Sequence, residues 1–346
     1  MNVLGIESSC DECAAAVVED GIWVRSNVVA TQIPFHAVYK GVVPEIASRK
    51  HTEWIYAVVQ EALSQAGLEP PDLDGLAVTA QPGLLGSLLV GLSFAKAFAW
   101  AKNIPFIAVD HMLAHLYASQ LVDPSVTVRA APVAYPFLGL LVSGGHSIIC
   151  RVDDFDSLTV LGTTIDDAVG EAFDKVSNHY GFGYPGGAVI DKLAQTGDPL
   201  AFSFPLPKLY KGEHRYDLSY SGLKTAVINQ LEQFRQKPAS QIRAEDIAAS
   251  FQKTAVDILL RSLFRAVEDT GLTTTVAGGG VAANSYLRRL LGERQDLRCI
   301  FPSPELCGDN GAMIAGLGYR YLIRGERSPL TALACARVKA FKRSYP

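Results

Sequence analysis

Two histidines four residues apart, in Val109-Asp110-His111-Met112-Leu113-Ala114-His115, are the side chains here best placed to do chemistry. The segment reads as helical, and residues four apart stack on one helix face. Two imidazoles set this way can grip one metal ion. A metalloprotease of this spacing also needs the glutamate of H-E-x-x-H as general base, and Met112 stands in its place. A thioether takes up no proton at neutral pH, which argues against peptide hydrolysis. A third ligand is offered by Cys307-Gly308-Asp309-Asn310-Gly311, a coil that opens a helix of small residues. Asp309 also suits the cap of that helix, and the two roles are compatible. Two histidines and one carboxylate with open positions suit Fe(II) or Zn(II).

A second chemistry is suggested by glycine. A phosphate needs donors with no bulk in the way, and backbone N–H groups in glycine turns and at helix N-termini supply them. Four segments qualify: the polar turn Ser8-Ser9-Cys10-Asp11-Glu12, Ser143-Gly144-Gly145, Gly186-Gly187 after Tyr184-Pro185, and Gly278-Gly279-Gly280 before a helix beginning near Asn284. Any one alone is usually a tight turn; four with strand–turn–helix context are less bland. No G-x-x-x-x-G-K-[S/T] occurs, so a P-loop is excluded. Gly181 to Gly186 formally fits G-x-G-x-x-G, but it contains Pro185 and follows no convincing strand. A dinucleotide fingerprint is rejected on those grounds. Gly170-Glu171-Ala172-Phe173-Asp174-Lys175 places two carboxylates three apart, and Asp174 suits a ribose hydroxyl; a solvated helix face is the plainer reading.

These side chains need positioning elements. Val3 to Ile6 and Ala14 to Val18 read as strands around the first turn. Lys50 to Ala66 reads as an amphipathic helix with Trp54, Val58 and Ala62 in one row and Ile55, Val59 and Leu63 beside it. Gly67 caps it and Pro70-Pro71 forbids its continuation. Leu76 to Thr79 and Ile104 to Val109 read as strands, the second feeding the histidine helix. Phe137 to Val142, a turn, then Ser147 to Val152 repeat the opening hairpin about 134 residues later, counted from Leu4 to Leu138. That recurrence points to an internal duplication. Ala244 to Thr270 reads as a long helix with Ile247, Phe251, Ala255, Ile258 and Leu259 inward; Thr275 to Ala277 is a strand and Asn284 to Leu291 a helix. Residues 233–243 read as a polar surface connection. Strands alternating with helices argue an α/β architecture of two similar lobes with a cleft between them. The expected division is 1–130 plus 309–346 for the first lobe and 131–308 for the second.

Composition sets the limits. The chain has 346 residues, 49% hydrophobic and 19% charged, enough for a large buried core. A net charge of −4 gives no bulk support to a nucleic-acid partner. The clearest basic patch, Arg337 to Arg343, reads as a frayed, solvated end. The N-terminus shows no secretory signal, and the apolar run Leu84 to Ala101 is broken by Lys96 and small residues, so a buried helix is expected rather than a membrane span. Cys10 and Cys13 form a C-x-x-C with no second pair to complete a zinc site; all six cysteines read as reduced thiols of a cytoplasmic protein.

Taken together, the motifs resemble a known family. Val3 to Glu12, Gly41-Val42-Val43-Pro44-Glu45-Ile46-Ala47-Ser48-Arg49 and Leu141-Val142-Ser143-Gly144-Gly145-His146 are similar to the tRNA threonylcarbamoyladenosine transferase (TsaD) family, once labelled O-sialoglycoprotein endopeptidases. Gly170 to Lys175, Tyr184 to Gly187, Ser221-Gly222-Leu223-Lys224-Thr225 and Asp309-Asn310-Gly311-Ala312 match too, in order, over nearly the whole chain. Cys13 stands where the family commonly has threonine.

The resemblance implies an actin/Hsp70/sugar-kinase (ASKHA) fold with two duplicated lobes and an ATP-family nucleotide in the cleft. It implies transfer of the threonylcarbamoyl group of threonylcarbamoyl-AMP to the exocyclic amine of the adenosine next to the anticodon, in tRNAs reading codons that begin with adenine. It carries His111, His115 and Asp309 to the metal, with Fe(II) ahead of Zn(II). It carries Leu141, Val142, Ser143, Gly144, Gly145, Asp174, Gly187, Asp191 and Asn284 to the adenylate, and Ser9, Asp11 and Glu12 to the first phosphate turn. Expected partners are tRNA, TsaB (a shorter relative) and TsaE (an ATPase), and no membrane. Two rivals stand beside it: a small-molecule kinase of the same fold, and a nucleotide-gated scaffold without catalysis.

Overall fold

The computed structural model describes residues 1–39, 41–122, 133–209, 211–234 and 243–338. The basic tail from residue 339 onward, most of the 233–243 connection and the expected lobe boundary at 130/131 lie outside the described residues. The chain divides into two compact units, Met1–Ala134 with Pro302–Lys339, and Tyr135–Phe301.

In the first unit the strands are β1 (Asn2–Glu7), β2 (Glu12–Glu19), β3 (Trp23–Thr31), β4 (Gly75–Gln81) and β5 (Phe106–Asp110), and the helices α1 (Ile33–Ala37), α2 (Pro44–Ala66), α3 (Leu85–Lys102) and α4 (His111–Tyr117). The sheet order is β3-β2-β1-β4-β5. β1 pairs antiparallel with β2 and parallel with β4, so Ile6 lies between Ala15 and Val78. Leu4, Ile6, Ala15, Val17, Leu76 and Val78 form the sheet's side of a core with Ile55, Val59 and Leu63 of α2 and Leu92 and Ala95 of α3.

α2 begins at Pro44 rather than at the expected Lys50. Proline is well suited to the first helical position because its missing N–H would have no partner there. Its end is as expected: Gly67 takes φ 66° and donates its N–H to Leu63 O and Ser64 O. The segment around the histidines is half strand and half helix, with the change at Asp110/His111.

The second unit holds β6 (Phe137–Val142), β7 (Ser147–Asp154), β8 (Ser157–Thr163), β9 (Thr274–Gly278) and β10 (Arg298–Ile300), with α5 (Val169–Tyr180), α6 (Gly186–Ala194), α7 (Ser221–Phe234), α8 (Ala244–Thr270) and α9 (Ser285–Gly292). Its sheet order is β10-β9-β6-β7-β8. Taken from the antiparallel edge, both sheets run third, second, first, fourth, fifth strand of their unit, with the same parallel and antiparallel pairings. The duplication inferred from the hairpins is therefore a duplication of whole sheets. α8 buries Ile247, Phe251, Ala255, Ile258 and Leu259 as expected, and Phe251 meets Phe173 of α5 at 5.0 Å between ring centroids. No helix of the described residues is long and apolar enough to cross a membrane.

The last helix, α10 (Gly311–Ile323), returns to the first unit and lies across β1, β2 and β4. The approach is too close for side chains at two points. A Cβ on Gly5 would fall 2.2 Å from Gly311 O, and one on Gly311 would fall 2.5 Å from Ala16 N. These glycines set how near the start of α10 comes to the sheet.

Gly5→Ala should therefore destabilise the protein by about 1–3 kcal/mol through overpacking. Gly292→Ala, where a Cβ meets nothing within 4 Å, should be neutral or slightly stabilising. Urea denaturation of both variants checks the contrast.

Candidate metal centre and nucleotide site

The first site is assembled from three ends of elements in the first unit. β5 stops at Asp110, whose side chain caps α4 by accepting Met112 N at 2.8 Å and Leu113 N at 3.2 Å. Burial pushes the Asp110 carboxyl up, and these N–H donors work against that. His111 is thus the first helical residue, and His115 follows one turn later on the same face. At the far end of the chain the helix cap is Asn310, not Asp309: Asn310 Oδ1 accepts Met313 N at 3.0 Å. Asn310 Nδ2 also donates to Leu306 O at 3.2 Å and Gly308 O at 2.8 Å. The reading of Asp309 as the cap is corrected by this geometry, and its carboxylate is directed to the histidines instead.

His115 Nε2 lies 3.1 Å from His111 Nε2 and 3.1 Å from Asp309 Oδ1, and His111 Nε2 lies 3.5 Å from Asp309 Oδ1. Atoms bound to one ion through bonds of about 2.1 Å stand about 3.0 Å apart at right angles and about 3.4 Å apart at tetrahedral angles. The three atoms already have that spacing. Both rings are buried, at 7% and 1% exposure. The donor set, two imidazole nitrogens and a carboxylate, fits a divalent ion such as Fe(II) or Zn(II).

Beneath the ligands lies Glu7, the last residue of β1, with no exposed surface. Its Oε2 accepts from His111 Nδ1–H at 2.9 Å and from Thr79 Oγ–H at 2.6 Å, and its Oε1 accepts Ser9 N at 2.5 Å. Burial opposes ionisation of Glu7, but the His111 charge and hydrogen bond outweigh it and hold the carboxyl below its usual range. Burial likewise opposes a charged His111, and Glu7 and Asp309 overcome it, holding the ring up at about 9. Burial and the His111 charge push His115 down. A cation at His111 Nε2 takes the place of a proton held at that same atom.

Of the first-turn residues, Ser9 comes closest, with Oγ 3.3 Å from His111 Nδ1. Burial pushes Asp11 up and pushes Glu12 up to about 8, with Asp309 adding to both. Thr31 Oγ–H donates to Glu12 Oε1 at 2.9 Å, and the buried Glu12 Oε2 has no hydrogen-bond partner among the described residues. Neither carboxylate belongs to the three-ligand group.

The second unit carries the other set. β6 and β9 are adjacent parallel strands with Leu141 opposite Gly278, so the glycine turns that follow them are neighbours. Gly279 has φ 92°, and a Cβ there would fall 2.4 Å from Val142 O, so the position needs glycine on both counts. In the Ser143 turn, Ser143 N donates to His146 O at 2.8 Å, while Gly144 and Gly145 are exposed and a Cβ on either meets nothing within 4 Å. The turn rests on the start of α5, where a Cβ on Gly170 would fall 2.6 Å from Ser143 O. Asp174 Oδ1 accepts Gly186 N at 2.7 Å, beside Gly187 at the start of α6. Asp191 and Asn284 meet directly: Asn284 Nδ2 donates to Asp191 Oδ1 at 3.2 Å and to Gln252 Oε1 at 3.0 Å. Asn284 Oδ1 accepts Leu287 N at 2.9 Å, capping α9.

Glu7, Thr79 and Gln252 were missed by the motif reading. One signal was available for Glu7: a carboxylate ends an otherwise apolar buried strand, and such a charge is rarely left without partners.

Comparison with known proteins adds the following. Residues 23–316 match the family model described as TsaD: tRNA N6-adenosine threonylcarbamoyltransferase. A protein of that name from Treponema denticola is 64% identical over 99% of both chains. Those of Treponema pallidum and Borrelia hermsii are 57% and 48% identical over 99% of this chain and 95% and 98% of theirs. Among solved structures, full-length HypF superposes with a TM-score of 0.59 at 14% identity over 95% of this chain and 47% of its own. Component A of the Acidaminococcus fermentans (R)-2-hydroxyglutaryl-CoA dehydratase superposes with a TM-score of 0.54 at 13% identity over 93% and 99%. These two likenesses concern the fold alone.

Because Asn310 holds the start of α10 by three hydrogen bonds, Asn310→Ala should cost about 1–2 kcal/mol of stability. It should also weaken metal retention by loosening Asp309. Urea denaturation without metal and zinc titration monitored by calorimetry measure the two effects separately.

Proposed function

The chain belongs to the TsaD family of tRNA N6-adenosine threonylcarbamoyltransferases, and from that premise we propose how its own residues carry the reaction. It is an enzyme of tRNA modification that transfers a threonylcarbamoyl group to N6 of an adenosine in tRNA. The proposed donor is threonylcarbamoyl-AMP, and the proposed acceptor is the exocyclic amine of the adenosine next to the anticodon, in tRNAs reading codons that begin with adenine. The amine nitrogen attacks the carbamoyl carbon and forms a C–N bond. The bond from that carbon to the phosphate oxygen breaks, AMP leaves with the electron pair, and the amine gives up one proton.

The amine is a weak nucleophile because its lone pair is delocalised into the ring, so the acyl donor must be held and its leaving group stabilised. His111 Nε2, His115 Nε2 and Asp309 Oδ1 would hold one divalent ion, Fe(II) ahead of Zn(II), since two histidines and a carboxylate with open positions suit Fe(II). When bound, that ion supplies electrophilic assistance by drawing charge from oxygen atoms of the adenylate. The exposed amides of Gly144 and Gly145 are proposed to point fixed dipoles at the phosphate. Asp174, Gly187, Asp191 and Asn284, with the main chain of Leu141 to Ser143, are proposed to hold the nucleoside. Asp11 and Glu12 are the carboxylates proposed, by their position in the first turn, to accept the proton.

Proteins similar to TsaB and TsaE are the proposed partners, and the cytoplasm the proposed location. The free state of all six cysteines supports a reducing compartment. A kinase of this fold would hold Mg²⁺ on carboxylates, and the two imidazoles speak against it.

The observation that carries the mechanism is the convergence of three ligand atoms at 3.1–3.5 Å. His111→Ala/His115→Ala should slow single-turnover transfer to tRNA by about 100-fold or more, the equivalent of about 3 kcal/mol of charge stabilisation. Undiminished transfer by the folded double variant would remove the metal from the mechanism.

A further inference from the structure

We propose that Glu7 is the positioning residue of the metal centre: through one carboxylate it fixes which nitrogen of His111 faces the ion and ties that ligand to the first phosphate turn. The inference rests on the metal reading given above and extends it to a residue that binds neither metal nor substrate.

Full burial is unusual for a glutamate. Glu7 closes a strand whose other residues after Asn2 are Val3, Leu4, Gly5 and Ile6, and its side chain has no exposed surface. A carboxylate in such a place is tolerated only when its oxygens are supplied with donors. Three donors come from three separate elements. Thr79 of β4 gives a hydroxyl at 2.6 Å, Ser9 of the turn gives its backbone N–H at 2.5 Å, and His111 of α4 gives Nδ1–H at 2.9 Å.

The third bond has a chemical consequence. An ionised carboxylate only accepts, so His111 must carry its proton on Nδ1. Nε2 is then the nitrogen left to bind a metal, and it is Nε2 that lies toward His115 and Asp309. Hydrogen bonding to a carboxylate also raises the basicity of the ligating nitrogen. His115 shows the contrast: its Nδ1 is buried without a hydrogen-bond partner among the described residues. One histidine has a carboxylate behind its Nδ1, and the other has none among the described residues.

The remaining oxygen extends the effect. Ser9 belongs to the turn assigned to phosphate, and its amide is held by Glu7 Oε1. Leu84 N donates to Ser9 O at 2.7 Å, so the turn is fixed on its other side too. Loss of the carboxylate would free both the ligand and the turn.

Glu7→Gln keeps the size of the side chain but places an NH₂ among three donors. Zinc affinity, measured by chelator competition on the full chain without substrate, should fall about 10–100-fold. Thr79→Val removes a donor to the same carboxylate without touching His111 and should stay within about threefold of wild type, well short of the loss expected when the group hydrogen-bonded to a metal-binding histidine is changed. A Glu7→Gln affinity equal to wild type, or an equal loss in both variants, overturns the proposal, the latter by showing a merely structural role. Nitrogen-15 NMR of zinc-loaded wild type keeps the test open should Glu7→Gln not fold. A His111 ring bound through Nε2, with a slowly exchanging Nδ1 proton, supports the proposal; zinc on Nδ1, or a freely exchanging Nδ1 proton, overturns it. Failure of wild type itself to bind zinc marks failure of the metal reading, and this inference falls with it.

Discussion

Three atoms that each offer a lone pair are held within 3.5 Å of one another in a buried place, and the first unit is organised around that fact. Such an arrangement repels itself unless protons or a cation lie between the atoms. Glu7 and Asp309 favour the charged form of His111, holding the ring up at about 9 against the cost of burial. The two histidines come from one turn of α4, but Asp309 is 194 residues from His115 along the chain. Bringing it there requires α10 to start close to β1, and the paired approach of Gly5 and Gly311 allows that. Two caps finish the work. Asp110 starts α4 at His111, and Asn310 caps α10 so that Asp309 does not have to.

The parts of this site that were legible in the sequence are the parts governed by local periodicity. The four-residue spacing of His111 and His115 survives because α4 is helical over both, although the helix begins only at His111. The long helix Ala244–Thr270 was legible from end to end because its apolar stripe is continuous and Gly271 ends it at φ 69°. The start of α2 at Pro44 is not legible from periodicity, because residues 44–49 carry little apolar signal; proline's preference for the first turn is what marks it. Asp309 was legible as either ligand or cap, and the choice depended on Asn310, whose three hydrogen bonds appear only once the coil 306–310 is folded. Glu7 was the least legible of all. Its partners lie 2, 72 and 104 residues away, and nothing in a local pattern reports such distances.

The two sheets share one topology yet end their first strands in opposite chemistry. β1 runs into Glu7-Ser8-Ser9, a carboxylate followed by hydroxyls, and β6 runs into Ser143-Gly144-Gly145, whose glycine amides are exposed. In each unit the first strand's neighbour on the parallel side contributes at the same end. β4 brings Thr79 to Glu7, and β9 brings Gly279 against Val142. The shared topology fixes where the strand ends and their turns lie. The residues that follow differ in kind: imidazoles and carboxylates gather in one unit, and glycines are left exposed in the other.

That separation has a physical reason. Each amide has one proton, so an N–H given to a buried carboxylate is not available to a second acceptor. In the first unit Ser9 gives its N–H to Glu7, which in turn aims His111. In the second unit the cost is met differently: Ser143 alone closes the turn by donating to His146 O, and the two glycines after it stay exposed. One copy of the duplicated sheet gives an amide of its first turn to Glu7, which holds His111, while the other leaves its two glycines exposed.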